Sequence, residues 1–225
     1  SGVSTAFRTH LESFAKTLVE KFQPTSNDLV IDIASNDGTL LKFFSNFGIR
    51  VLGIESSNIA NIATENGIPN VNEFFNDIIA KGIVDEHGQA KIITITNAFA
   101  HIKDLDSVMK GVKLLLDENG VFVSESQYLV DIIKKLEYDT IYHEHLRYYS
   151  LKPLVQLFEN SRTTLDIGNF GEADRFNPSI ANIDQAGPAE VVVGNQIYNA
   201  LTMSYICLNP KLTPCRMIVS CSKML

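Results

Sequence analysis

Between Asp28 and Glu125 the chain repeats one pattern: a short apolar run rich in β-branched residues, a polar turn, then an amphipathic stretch. The strand-like runs are Leu29–Ala34, Val51–Glu55, Lys91–Thr96 and Val121–Glu125, with a weaker one at Val71–Phe75. Helix-like stretches fall at Thr39–Phe47, Ile59–Asn66 and Leu105–Leu116. Strands that are apolar along nearly their whole length must be covered on both faces, and a helix between successive strands leaves them parallel. The pattern predicts an α/β fold: a Rossmann-like, doubly wound, mostly parallel sheet with right-handed crossovers. Thr5–Phe22 leads into it with Phe7, Leu11, Phe14, Leu18 and Phe22 at helical spacing, ending before Pro24.

After the repeat the character changes. Tyr128–Glu159 mixes a helical pattern with a cluster of aromatic and ionisable residues, and from Ser161 onward Gly, Asn, Asp and Pro become frequent. Short β-like runs follow at Thr163–Ile167, Glu190–Val193 and Met217–Ser220. The expected division is a core over residues 1–160 and an irregular, β-containing C-terminal part over 161–225 that completes the sheet edge, with Arg216–Lys223 pairing with Thr163–Ile167.

Composition narrows the partners. The 225 residues carry a formal net charge of −7 with no basic block, which disfavours gripping a phosphate backbone, so no nucleic-acid partner is expected. The longest apolar runs are far short of the roughly 20 residues that span a bilayer, and Ser1–Glu20 lacks the apolar stretch of a signal peptide. The three cysteines, Cys207, Cys215 and Cys221, form no C-x-x-C pair and fit neither a disulfide framework nor a zinc cage. Buried thiols in a reducing cytoplasm are the expectation.

In an open parallel sheet, ligands bind beyond the carboxyl ends of the strands. The first such turn, Ile33-Ala34-Ser35-Asn36-Asp37-Gly38-Thr39, has one glycine where a dinucleotide fingerprint needs three, so a pyrophosphate is disfavoured. It offers Asp32 on the strand, small residues at Ala34 and Ser35, Asn36, and Gly38 at the helix entry. The second strand ends in Gly53-Ile54-Glu55-Ser56-Ser57, placing a carboxylate where a ribose diol can donate two hydrogen bonds. A ribose without a pyrophosphate points to S-adenosylmethionine, with Asp32, Ala34, Ser35, Asn36, Gly38, Glu55 and Asn97 as expected contacts. Taken singly, Asp37 is equally a helix cap and Glu55 a solvated strand end.

Two later stretches carry proton chemistry: Asn97-Ala98-Phe99-Ala100-His101-Ile102 after the fourth strand, and Tyr142-His143-Glu144-His145-Leu146-Arg147-Tyr148-Tyr149-Ser150 after the fifth. Histidine titrates near neutral pH and suits a general base. Tyr142 and Glu144 can orient that base or hydrogen-bond a substrate oxygen. His143-x-His145 is also a conceivable metal pair, although a catalytic metal wants a third protein ligand and only Glu144 or His101 offers itself.

These runs, over about Thr5 to Glu159, resemble the S-adenosylmethionine-dependent C-methyltransferases of deoxysugar biosynthesis. The resemblance implies a class I methyltransferase fold and methylation at C3 of a nucleotide-linked 4-keto-deoxysugar, without a metal. It implies that His145 removes the proton beside the ketone and that Tyr142, Glu144 and His101 surround the sugar and its enolate. Since a net charge of −7 repels a nucleotide sugar, local groups must hold it, and His143 and Arg147 are the expected substrate contacts. That family also carries paired cysteines in an N-terminal zinc domain and a further C-terminal α/β domain. This chain has neither pattern, so the catalytic core alone is expected. Methylation of another small molecule at O or N, and a non-catalytic cofactor-binding module, remain compatible with the same residues.

Overall fold

A computed structural model describes residues 4–150, 153–154 and 157, and the later strands Thr164–Asp166, Glu190–Val193, Gln196–Asn199 and Met203–Asn209. The described residues fall into two compact units, one holding residues 4–96 and 104–122, the other 97–103 and 123–150 with the later strands up to Leu208. Among the described residues no helix is long and apolar enough to cross a membrane.

The first unit opens with α1 (Thr5–Phe22), which buries Leu11, Phe14, Ala15 and Leu18 and ends where Gln23 turns left-handed, its N–H closing on the Val19 carbonyl. There follow β1 (Leu29–Ile33), α2 (Thr39–Asn46), β2 (Arg50–Ile54), α3 (Ala60–Glu65), β3 (Asn70–Val71), α4 (Asp77–His87), β4 (Ala90–Thr96), α5 (Leu105–Leu115) and the start of β5 (Leu116–Gln127). The strand order is β3-β2-β1-β4-β5. β1 runs parallel to β2, with Asp32 opposite Gly53, and to β4, with Asp32 opposite Thr94; β2 runs parallel to β3, with Gly53 opposite Asn70. Every residue of β1 is buried, the consequence of helices on both faces of a parallel sheet. The order reverses between β1 and β4, so the crevice for a ligand lies beyond their carboxyl ends.

Three differences from the sequence reading have local causes. α4 has no counterpart in the sequence reading, because Gly82 interrupts its pattern and only Ala80 and Ile83 are buried. Its start was nonetheless legible in Asn76, whose side chain caps the N–H groups of Ile78 and Ile79 at 2.9 Å each. β3 stops at Val71 because the Glu73 N–H turns back onto the Val71 carbonyl. β5 extends well beyond Val121–Glu125 in both directions, taking in the exposed Glu118 and Asn119.

In the second unit, α6 (Leu129–Lys135) follows β5, and the strand order is β5-β9-β6, with β6 at Thr164–Asp166 and β9 at Met203–Asn209. β7 (Glu190–Val193) and β8 (Gln196–Asn199) pair antiparallel. The expected edge strand at 216–223 lies outside the described residues.

Candidate active site

The turn after β1 spends three left-handed residues in five: Ala34 at φ 59°, Asn36 at φ 54° and Gly38 at φ 77°. For Ala and Asn this conformation costs of order 1 kcal/mol each, and such outliers cluster where backbone geometry serves a ligand. At Gly38 a side chain would be strained twice, by the positive φ and by a Cβ meeting the Ala63 Cβ at 3.1 Å and Ile68 Cγ1 at 3.2 Å. Asp37 sits one residue before the N-cap Gly38 of α2 and accepts from the Thr39 N–H at 3.1 Å and its hydroxyl at 2.7 Å. Glu55 is no loose strand end: Oε2 accepts from the Asn36 N–H at 3.1 Å and Oε1 from the Ser57 N–H at 2.8 Å.

That bonding leaves each Glu55 oxygen a further lone pair, so a vicinal diol can still donate to both. These acceptor oxygens therefore fit the ribose of S-adenosylmethionine. Behind it, Gly53 lets Asn70 Nδ2 donate to Ser35 Oγ at 2.9 Å; a Cβ there would lie 2.3 Å from that nitrogen and 2.5 Å from that oxygen. Asp32 is 2% exposed and accepts from the Thr94 hydroxyl at 2.7 Å, which makes it a buried anchor between β1 and β4.

Asn97 belongs to the second unit. It sits at φ 53°, and its backbone and side-chain nitrogens both donate to Glu125, to the carbonyl and to Oε1, at 2.9 Å each. Glu125 is fully buried; the sequence reading gave it no role, although an acid ending an apolar strand was the available signal.

A cavity of about 310 Å³ in the second unit is lined by Asn97, His101, Tyr142, His145 and Arg147 among others. The His145 ring centroid lies 4.8 Å from His101, 4.3 Å from Tyr142 and 5.7 Å from Tyr148, the last edge-on at 87°. His145 Nδ1 is 2.8 Å from the Thr140 carbonyl, and His101 Nδ1 is 2.9 Å from the Glu144 carbonyl. A carbonyl only accepts, so each Nδ1 carries the proton and each neutral ring keeps its lone pair on Nε2. In both rings the lone pair of the neutral form thus falls on the same atom, Nε2.

Glu144 enters through its backbone; its side chain is exposed and lines no part of the cavity. His143 is likewise exposed, edge-on to Tyr142 at 6.4 Å, so His143 and His145 do not converge on the cavity. Among the described residues no group of three His, Cys, Asp or Glu is arranged to hold a metal. The cavity also takes in Ser126, Gln127, Asp139, Thr140, Tyr148 and Tyr149. The two tyrosines stood in the quoted run. Thr140 acts through a carbonyl, which leaves no mark in a sequence. Tyr149 is 7% exposed, its hydroxyl donates to the Phe99 carbonyl at 3.5 Å, and burial pushes its pKa up to about 12 against the opposing Arg147 cation.

A parallel sheet with its switch point at β1, a left-handed turn there and a diol-ready carboxylate at the end of β2 define a Rossmann-like domain of class I methyltransferase type. Sequence comparison agrees: a family model described as a methyltransferase domain matches residues 7–161, and the chain belongs to that family. It is similar to the C-methyltransferase NovU of Streptomyces niveus, 36% identical over 152 residues, which cover 67% of this chain. The match spans 36% of the length of NovU, so this chain corresponds to about a third of that relative. Among solved structures, it is similar to a SAM-dependent methyltransferase from Archaeoglobus fulgidus, with TM-score 0.62, 14% identity and coverage of 89% of this chain and 93% of that one. The plantazolicin methyltransferase BamL, solved with a triazolic desmethylPZN analog and SAH, gives TM-score 0.61 at 16% identity, covering 92% and 86%. At these identities the structural likeness concerns the fold.

Proposed function

We propose that this methyltransferase, using S-adenosylmethionine, methylates carbon beside the ketone of a nucleotide-linked keto-deoxysugar, with His145 as the base. Within residues 1–160 the turn after β1 and Glu55 hold the cofactor, which when bound supplies an electrophilic methyl group on a sulfonium. The carbon nucleophile has to be made. A C–H beside a ketone is a weak acid, and a positioned base of near-neutral pKa accelerates its removal by about 10²–10⁴-fold.

The observation that carries this reading is the Nδ1–H of His145 bonded to the Thr140 carbonyl, which leaves Nε2 as the basic atom of a ring flanked by His101, Tyr142 and Tyr148. O- or N-methylation of a hydroxyl or amine needs no carbon-acid base of this kind. The developing enolate oxygen needs a donor, and the Tyr142 hydroxyl, on the cavity lining, supplies one. The similarity to a C-methyltransferase supports the same chemistry.

Two measurements test this. Calorimetry should detect S-adenosylhomocysteine binding by the chain, with affinity within about threefold in His145→Ala, because no cofactor contact is removed. A nucleoside-diphosphate 4-keto-6-deoxysugar in D₂O should exchange its C3 proton in the presence of the protein, and His145→Ala should slow that exchange by at least about 100-fold. Unchanged exchange in His145→Ala would assign the base elsewhere; methyl transfer that survives the substitution would favour an O- or N-acceptor.

A further inference from the structure

The segment from Tyr142 to Tyr149 lies outside any helix, yet it must hold His145 within 4.8 Å of His101. It is fastened to residues 99–103. The Leu146 N–H donates to the Ala100 carbonyl at 3.0 Å, and His101 Nδ1–H to the Glu144 carbonyl at 2.9 Å. The Arg147 guanidinium donates to the Ile102 carbonyl and, at 3.1 Å, to the Lys103 carbonyl. The backbone is already extended at Ile102, with φ −71° and ψ 123°, so the short 3-10 turn Phe99–His101 stops there. A planar fork can span two successive carbonyls, whereas an ammonium is a point donor.

We propose that Arg147 is a positioning residue for the base: it braces the His145 loop against residues 102–103 and so fixes the pairing of His101 and His145, rather than gripping a substrate anion. This rests on the reading of His145 as the base. With two of its five N–H groups bonded to successive carbonyls, the guanidinium has its plane fixed before any substrate arrives. Arg147 lines the cavity, but what it directs into the loop is rigidity. The bond from His101 to the Glu144 carbonyl closes the same loop, so release of Arg147 should release the tautomer of His101.

The test compares Arg147→Lys and Arg147→Met in the full chain, with the ¹⁵N ring signals of histidine, S-adenosylhomocysteine calorimetry and steady-state kinetics on the keto-sugar nucleotide. The brace predicts S-adenosylhomocysteine affinity within about twofold, kcat lowered about 10- to 100-fold in Met and about 10-fold in Lys, and KM within about threefold. It also predicts that the His101 signal moves from the Nδ1–H form towards a tautomer mixture in Arg147→Met. A KM raised about tenfold or more in Met but kept in Lys, with kcat unchanged, overturns the proposal in favour of a substrate contact. Parallel loss of cofactor binding and thermal stability overturns it in favour of a general structural role. Histidine signals identical to wild type in Arg147→Met also overturn it. Should the wild type neither exchange the C3 proton nor transfer methyl, the reading of His145 fails, while the ring signals still report whether Arg147 sets the loop.

Discussion

The turn after β1 and the loop carrying His145 are built with hydrogen bonds of opposite polarity. At the first, side-chain oxygens of Glu55, Asn36 and Asp37 accept from backbone N–H groups of Asn36, Ser57, Asp37 and Thr39. At the second, the ring and guanidinium nitrogens of His101, His145 and Arg147 donate to backbone carbonyls. Each scheme settles what is left for chemistry. A carboxylate that has accepted two amides still has lone pairs for hydroxyl donors, which suits a ribose. An imidazole that has donated through Nδ1 has its lone pair on Nε2, which suits proton removal. In both places the structural bond selects which lone pair is left over.

The comparison can be broken first at Glu55. Glu55→Ala removes the diol acceptors and frees the Asn36 and Ser57 amides, so calorimetry should show S-adenosylhomocysteine affinity lowered about 10- to 100-fold. Glu55→Gln, which keeps one acceptor oxygen, should fall between. An unchanged affinity in Glu55→Ala would remove the acceptor scheme from cofactor binding.

Next in size is Gly53→Ala. The new Cβ collides with the Ser35 to Asn70 bond behind the turn and should cost about 1–3 kcal/mol in urea unfolding. Gly48→Ala, with nothing within 4 Å of its Cβ, should cost only the price of its positive φ, about 1 kcal/mol. A loss at Gly53 no larger than that at Gly48 would show that the Ser35 to Asn70 bond moves aside for the new Cβ.

The donor side is sharpened by pH. Burial raises the Tyr149 pKa from the ordinary 10 to about 12, so the unfolded chain gives up this proton first. Stability attached to Tyr149 is therefore intact below pH 10 and lost as pH rises towards 12. Urea midpoints measured at rising pH should fall less steeply in Tyr149→Phe than in wild type. The smallest effect is at Asp77, another acceptor carboxylate of the first unit. The Ser107 hydroxyl, donating at 2.6 Å, holds its pKa below the ordinary carboxylate value, so the associated stability is present above that value and fades as pH falls. In Ser107→Ala an NMR titration of Asp77 should move up towards the ordinary value.

Much of the first unit was legible because its signals are local. β1 and β4 are apolar runs, α1 has an apolar stripe that stops before Pro24, and the turn after β1 shows Gly38 where a positive φ and a tight contact are both required. α4 was illegible from periodicity because it buries little of itself. In the second unit the residue types were readable and their arrangement was not. Tyr142, His145 and His101 come together in one cavity, whereas Glu144 contributes a carbonyl and His143 faces away from the lining. No repeat governs side-chain direction over residues 142–149, so alternation could not say which histidine faces inward.

From the sequence came a doubly wound sheet, a single-glycine turn after its first strand, and a run of histidines and tyrosines whose side chains can carry protons, because hydrophobic period, glycine and side-chain chemistry are written residue by residue. Tertiary structure alone decided that His145 and His101 present Nε2 and that Glu55 presents two spare lone pairs. The partners that make those choices are backbone carbonyls of Thr140 and Glu144 and backbone amides of Asn36 and Ser57. Nearly every residue carries the same two groups, so only the fold can say which of them a side chain meets.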